Sequence, residues 1–124
     1  MGIIYNHMVV EIQSTESIDR VFQALADSTR RDILLRVMRG ESSVSTLASY
    51  YPMSFAAVQK HVAVLERARL VTKRKQGREQ MVLGESSAIE HAIEQLERFE
   101  IEWRERLDRF DDVLQKSMKK GSKP

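Results

Sequence analysis

The chain has 124 residues, 42% of them hydrophobic, no cysteine and a formal net charge of +2. A domain this short buries only a modest core, so help from a second copy is expected; the missing cysteines exclude disulfides and thiolate metal sites, and three scattered histidines leave zinc dependent on carboxylate help. No apolar run approaches the roughly 18 residues needed to cross a bilayer, and Met1 to Glu16 lacks the basic start and apolar middle of a secretion signal, so a cytoplasmic protein without a membrane partner is expected.

After an N-terminal arm over residues 1–16, Ile18, Val21, Phe22 and Leu25 fall at the spacing of an amphipathic helix that Ser17 can cap. Asp27 or Ser28 opens a second helix with Ile33, Leu34, Val37 and Met38 inward, and Gly40 is the expected left-handed stop. Ser43 to Tyr50 reads as a short third helix burying Val44, Leu47 and Ala48, and Pro52 disfavours helical geometry at Tyr51. Ser54 caps a fourth helix whose Val58, Val62 and Leu65 face the core. Two short helices joined by a tight turn at Tyr51-Pro52-Met53 make a helix-turn-helix.

Val71 to Lys75 and Arg78 to Leu83, separated by Gln76-Gly77, predict a two-stranded wing, since Gly77 can adopt the positive φ of a hairpin turn. Ser87-Ala88-Ile89-Glu90 is a capping-box sequence opening the longest helix. Along that helix Ile89, Ile93, Leu96, Phe99, Trp103, Leu107, Phe110 and Leu114 keep spacings of three and four. At 1.5 Å per residue it is about 40 Å long, more than this domain can cover from one side, so its stripe is expected to meet another chain or a bent neighbouring helix. The domain is expected to span 17–114, with 115–124 a Lys-rich disordered tail.

Charge is unevenly placed. From Ser54 to Leu83 seven Lys and Arg stand against Glu66 and Glu79; from Gly84 to Leu114 four Arg stand against ten Asp and Glu. A basic helix-turn-helix and wing followed by an acidic helix points to double-stranded DNA as the partner. Enzymatic chemistry has no support: there is no Gly-rich phosphate loop, no Ser/His/Asp arrangement and no carboxylate pair set in an apolar pocket, and no cofactor is expected. A protein-interaction module using the long acidic helix stays open as the alternative.

Two segments carry a resemblance. Phe22-Gln23-Ala24-Leu25-Ala26-Asp27-Ser28-Thr29-Arg30-Arg31-Asp32-Ile33-Leu34 is similar to the opening motif of the ArsR/SmtB family of winged-helix repressors, and Met53 to Leu65 resembles that family's recognition helix. Arg67-Ala68-Arg69-Leu70-Val71 stands where the family has x-A-G-L-V, with Arg69 for the usual Gly, expected to be tolerated as a solvent-exposed side chain. Gln76-Gly77-Arg78 matches the wing, and Trp103 to Phe110 resembles the end of a branch with a long last helix. The resemblance implies a mainly α winged helix-turn-helix that dimerises through its first and last helices, binds a palindromic operator and usually represses. It also implies metal sensing in many members, through a Cys-x-Cys pair in the third helix or Asp/His ligands on the last. Here the third helix has no thiol, and His91 with Glu90 or Glu94 has no second His nearby, so the expected effector is a non-metal signal, or none.

The residues expected at DNA are Ser54, Phe55, Ala56, Gln59, Lys60 and His61 on the recognition helix and Lys73, Lys75 and Arg78 on the wing. Gln can offer a bidentate pair to adenine, Lys reaches guanine or phosphate, and Ala or Phe packs on a thymine methyl. His61 has a packed, hydrogen-bonded role as its alternative, and Arg30 and Arg31 either meet phosphate or brace the fold. Phe22, Ile93, Leu96, Phe99, Trp103, Leu107 and Phe110 are the expected dimer interface.

Overall fold

The computed structural model describes residues 15–121, in two units, one ending at Ala92 and the other starting at Ile93. The arm expected over 1–16 lies outside the described residues up to position 14, as do 122–124 of the expected tail.

In the first unit α1 is helical over 15–25, so Ser17 is already inside it rather than its cap. Val21 and Ala24 are buried, while Ile18, Phe22 and Leu25 are half-buried. α2 (Ser28–Arg39) is capped by Asp27, whose carboxylate accepts from the Arg30 N–H at 3.0 Å, and it buries Ile33, Leu34 and Val37. Met38, expected inside, is 49% exposed. The end of β3 runs so close to α2 that a Cβ on Gly84 would stand 3.3 Å from both Cα and Cγ of Met38, so the side chain lies against that strand end and not in the core. Gly40 does not turn left-handed; with φ 170° and ψ 148° it is extended and feeds straight into a strand.

That strand, β1 (Ser42–Ser43), pairs antiparallel with β3, Ser42 opposite Val82 and Ser43 opposite Met81. β2 (Val71–Gln76) and β3 (Glu79–Gly84) form the hairpin, and the sheet order is β1-β3-β2. The wing is thus three-stranded where two strands were expected. Two serines carry no strand pattern of their own, and they pair because the α2–α3 connection runs beside β3. α3 (Val44–Ala48) is shorter than the Ser43–Tyr50 expected, because Ser43 serves as its N-cap, accepting from the Thr46 N–H at 3.0 Å, and Ser49 as its C-cap, its N–H turning to the Thr46 carbonyl at 3.1 Å.

α4 (Phe55–Arg67) follows its Ser54 cap, and Val58, Val62 and Leu65 are buried as the spacing predicts. These side chains meet Ile33, Leu47, Leu70, Val71 and Val82 in one core. Each such aliphatic side chain contributes about 1.5–3 kcal/mol on full burial. That core fixes the angle at which α4 presents its other face.

α5 (Ser87–Gly121) begins without the expected capping box. The Ser86 carbonyl takes the first helical bond, from Glu90 N at 3.0 Å, while the Ser87 N–H and hydroxyl both turn to Glu85 Oε1 at 3.4 and 3.0 Å. The cap has moved one residue back. In the second unit the helix continues past Leu114 to Gly121, so residues 115–121 are helical rather than disordered, and none of the residues 93–119 is buried.

Candidate nucleic-acid interface

The N-terminal half of α4 is where the helix-turn-helix geometry would meet a major groove. Three buried residues at the spacing of Val58, Val62 and Leu65 force the remaining positions outward, and Phe55, Ala56, Gln59 and Lys60 are all exposed. Ser54 is exposed too, with its Oγ accepting the Ala57 N–H at 3.1 Å. The row offers an amide, an ammonium and two apolar surfaces within two turns of one rigid helix.

The other end of α4 closes in a Schellman motif. Leu70 N–H reaches the Leu65 carbonyl at 3.0 Å, Arg69 N–H reaches that of Glu66 at 2.9 Å, and the two leucines are fully buried. The motif needs a left-handed residue, and Arg69 supplies it with φ +60°. Its side chain is solvent-exposed, as expected, but its backbone occupies the conformation that makes glycine usual there.

From this turn the chain enters the wing. At its tip Gly77 has φ +62° and Arg78 does not share the positive φ, the pattern of a type II′ hairpin with glycine first. Arg78 and Lys75 are exposed. Lys73 is different: it is half-buried and its Nζ lies 3.3 Å from Glu66 Oε1, so its charge is partnered within the fold. Arg74, which is not among the residues expected at DNA, bonds Glu41 at 2.8 Å and fastens the wing to the turn before β1.

His61 sits behind the exposed row, half-buried, with Nδ1 3.3 Å from Arg30 Nη1 and 3.9 Å from Asp27 Oδ2. Arg30 also donates from Nε to the Ala24 carbonyl at 2.8 Å and from Nη2 to the Gln23 carbonyl at 3.0 Å, and Arg31 donates to Leu25 at 2.7 Å. Both arginines therefore satisfy the open carbonyls at the end of α1. Of the two roles left open for them, bracing is the one this geometry favours. The Arg30 backbone N–H, and then its guanidinium and His61, hold the Asp27 carboxyl below its ordinary range.

A second brace went unread in the sequence. The Tyr51 hydroxyl donates to Asp32 Oδ2 at 2.5 Å, Arg36 Nε donates to the same oxygen at 2.9 Å, and the Arg36 guanidinium lies 3.9 Å from the Tyr50 ring centroid. Tyr51 and then Arg36 lower the Asp32 pKa, and burial followed by the Asp32 bond pushes Tyr51 up to about 12. The network ties the turn between α3 and α4 to α2. Only the Asp32-to-Arg36 spacing of four was a signal for it.

A family model described as bacterial regulatory protein, arsR family, matches residues 27–73, from the α2 cap into β2. An HTH-type transcriptional regulator of Mycobacterium tuberculosis is 49% identical over 59 residues, which are 48% of this chain and 55% of that protein. The solved structure of an ArsR-like transcriptional regulator from Rhodococcus sp. RHA1 is 33% identical, with TM-score 0.69 over 82% of this chain and 95% of that one. The chain belongs to the ArsR family. The match to the curated relative spans about half of that protein's length. A winged helix-turn-helix DNA-binding domain from Mycobacterium bovis, described as homodimeric and as a possible ArsR-family regulator, is 25% identical with TM-score 0.57, over 69% of this chain and 82% of that one.

ArsR-family relatives matched here are regulators, not enzymes. In this ArsR-family chain the stripe expected at a dimer interface is exposed on the single chain: Ile93, Leu96, Phe99, Trp103, Leu107 and Phe110 range from 46% to 69% accessible. Ile101, Val113 and Met118, which the spacing left out, are exposed with them. Phe22 is half-buried against its own core. The family's thiol-based metal chemistry has no ligands in α3, and among the described residues no three His, Asp or Glu side chains gather where they could hold a metal ion. No helix among the described residues is long and apolar enough to cross a membrane.

Proposed function

We propose that this ArsR-family protein is a homodimeric repressor that binds a palindromic DNA operator. The observation that carries the reading is the exposed row Phe55, Ala56, Gln59 and Lys60 on a helix whose opposite face is locked in the core. Gln59 reads an adenine edge, Lys60 takes guanine or phosphate, and Ala56 and Phe55 pack on thymine methyls. Arg78 at the wing tip enters the minor groove or meets phosphate, and Lys75 adds sequence-independent attraction. Ser54 stands at the helix start, where phosphate is favoured. Lys73 and His61 act more weakly at DNA, because Glu66 and Arg30 already hold them.

The exposed stripe of α5 supports the dimer, since an apolar face of that length in water is unfavourable unless covered. A two-fold pair would set two recognition helices about 34 Å apart, one turn of DNA, which is why a palindrome is expected. The homodimeric description of the Mycobacterium bovis relative is in line with this.

The test selects bound fragments from genomic DNA, then titrates variants on the selected operator, on single-base operator variants and on random duplex at two salt concentrations. Gln59→Ala should lose about 1–3 kcal/mol on the operator and little on random DNA. Arg78→Ala should weaken both alike and flatten the salt slope. Equal loss on every duplex for Gln59→Ala, or a changed sequence preference with an unchanged slope for Arg78→Ala, overturns the assignment. Wild-type protein that shows no salt-dependent binding to any fragment overturns the function.

A further inference from the structure

A cavity of about 270 Å³ opens in the first unit between α1, the end of α4 and the first turns of α5. Three arginines line it, Arg20 from α1 and Arg67 and Arg69 from the end of α4, and no carboxylate does. Among the described residues none of the three guanidiniums has a hydrogen-bond or ion-pair partner. The rest of the lining is apolar at Ile18, Val21, Ala68 and Ala88 and polar at Ser17, Ser87 and His91.

Arg69 is the telling member. It occupies a left-handed position, φ +60°, where glycine carries no steric penalty. An arginine there costs backbone strain, and nothing in the described chain compensates through its side chain. Backbone strain of this kind clusters at functional sites. The use is not DNA contact by the helix end nearest the groove. α4 has 13 residues, so Arg67 and Arg69 lie roughly 20 Å along the axis from Phe55.

We propose that this cavity binds a small organic anion, a carboxylate or phosphate monoester with a compact apolar body. Arginine guanidiniums match either oxyanion with paired N–H donors. The apolar lining residues Ile18, Val21, Ala68 and Ala88 accept the body, and the volume, just under that of pockets for drug-sized ligands, limits its size. The start of α5 adds little, because Glu85 already takes the Ser87 donors. The site deepens the regulatory reading by giving the regulator a place for an anionic signal, and it rests on that reading only for this use.

The experiment needs no DNA. Phenyl phosphate and phthalate, as phosphate and carboxylate arms, are titrated into the full chain by calorimetry and by NMR of the arginine Nε–H signals, with inorganic sulfate and the cation benzamidine as controls. Saturable binding of at least one arm is expected, tighter than sulfate, with benzamidine silent. Arg69→Gly keeps the Schellman turn, so loss of fold cannot mimic loss of binding; it should weaken the bound arm about tenfold or more, as should Arg67→Gln or Arg20→Gln. Failure of both arms to bind overturns the proposal, and so does binding that the three variants leave unchanged, which would put the anion on the DNA face. Variants that only convert a dimer to monomer in light scattering overturn it too, since the arginines would then serve acidic side chains of a second copy. A mobility shift of Arg69→Gly on operator, expected at wild-type affinity without probe, keeps the DNA reading separate from this one.

Discussion

Replacing Arg69 by glycine should stabilise the protein, an unusual outcome for a change that removes a whole side chain. In the left-handed region an L-residue brings its Cβ against the following carbonyl, at a cost of about 1–2 kcal/mol. Glycine removes that cost but gives the unfolded chain more freedom, about 0.5–1 kcal/mol. The two Schellman bonds and the Leu65–Leu70 contact remain, because they use backbone and neighbouring side chains. A net gain of about 0.5–1 kcal/mol follows, or roughly 2–5 °C in Tm for a domain of this size. Arg69→Ala is the companion, since it also relieves repulsion among the neighbouring arginines but keeps the Cβ. The difference between the two variants isolates the backbone contribution. Calorimetric melts at one protein concentration are required, because association shifts the midpoint. An Arg69→Gly protein that melts no higher than Arg69→Ala would refute the reasoning.

Three further outcomes can be checked. Trp103→Asp or Leu107→Asp, each placing a charge in the proposed α5 interface, should cost about 3–5 kcal/mol of association and turn dimer into monomer by light scattering; a wild type that is monomeric contradicts the interface outright. Tyr51→Phe removes the principal bond lowering the Asp32 pKa, a half-exposed site, so it should destabilise by about 1 kcal/mol at neutral pH. A depressed carboxyl pKa gives stability above the unfolded value of about 4 that fades as pH falls through the folded one, so the two proteins should converge in acid, and a gap that persists there denies the bond its role. On the alkaline side the wild type alone should lose stability as pH climbs from about 10 towards about 12, because Tyr51 is raised in the fold. Zinc at stoichiometric concentration should leave DNA affinity unchanged, and tight binding in calorimetry would count against the absence of a ligand set.

The sequence by itself determined the order of helices, the cap at Ser54 and the outward row on α4, and it narrowed the α2 cap to Asp27 or Ser28. Those features are periodic or local: Val58, Val62 and Leu65 at spacings of four and three admit one buried face, and the exposed row is what remains. The stripe on α5 was legible for the same reason. Its end was not, since Lys116 to Gly121 has little apolar pattern and helix already formed can be propagated at small cost. Tertiary structure alone decided the rest. Ser42 and Ser43 became a strand because β3 offered an open edge, which no propensity of serine encodes. Tyr51 found Asp32 nineteen residues away, and His61 found Arg30 across thirty-one, contacts that depend on how three helices cross. Lys73 looked like its neighbours until the packing of β2 on α4 set Glu66 beside it. Arg69 shows the division most clearly: its place in a glycine motif was visible in the chain, but only the fold gives it a positive φ and sets it, without a partner among the described residues, at a cavity with Arg20 and Arg67. Side-chain charge is written in the sequence, whereas whether a charge is partnered is settled by distances that folding creates.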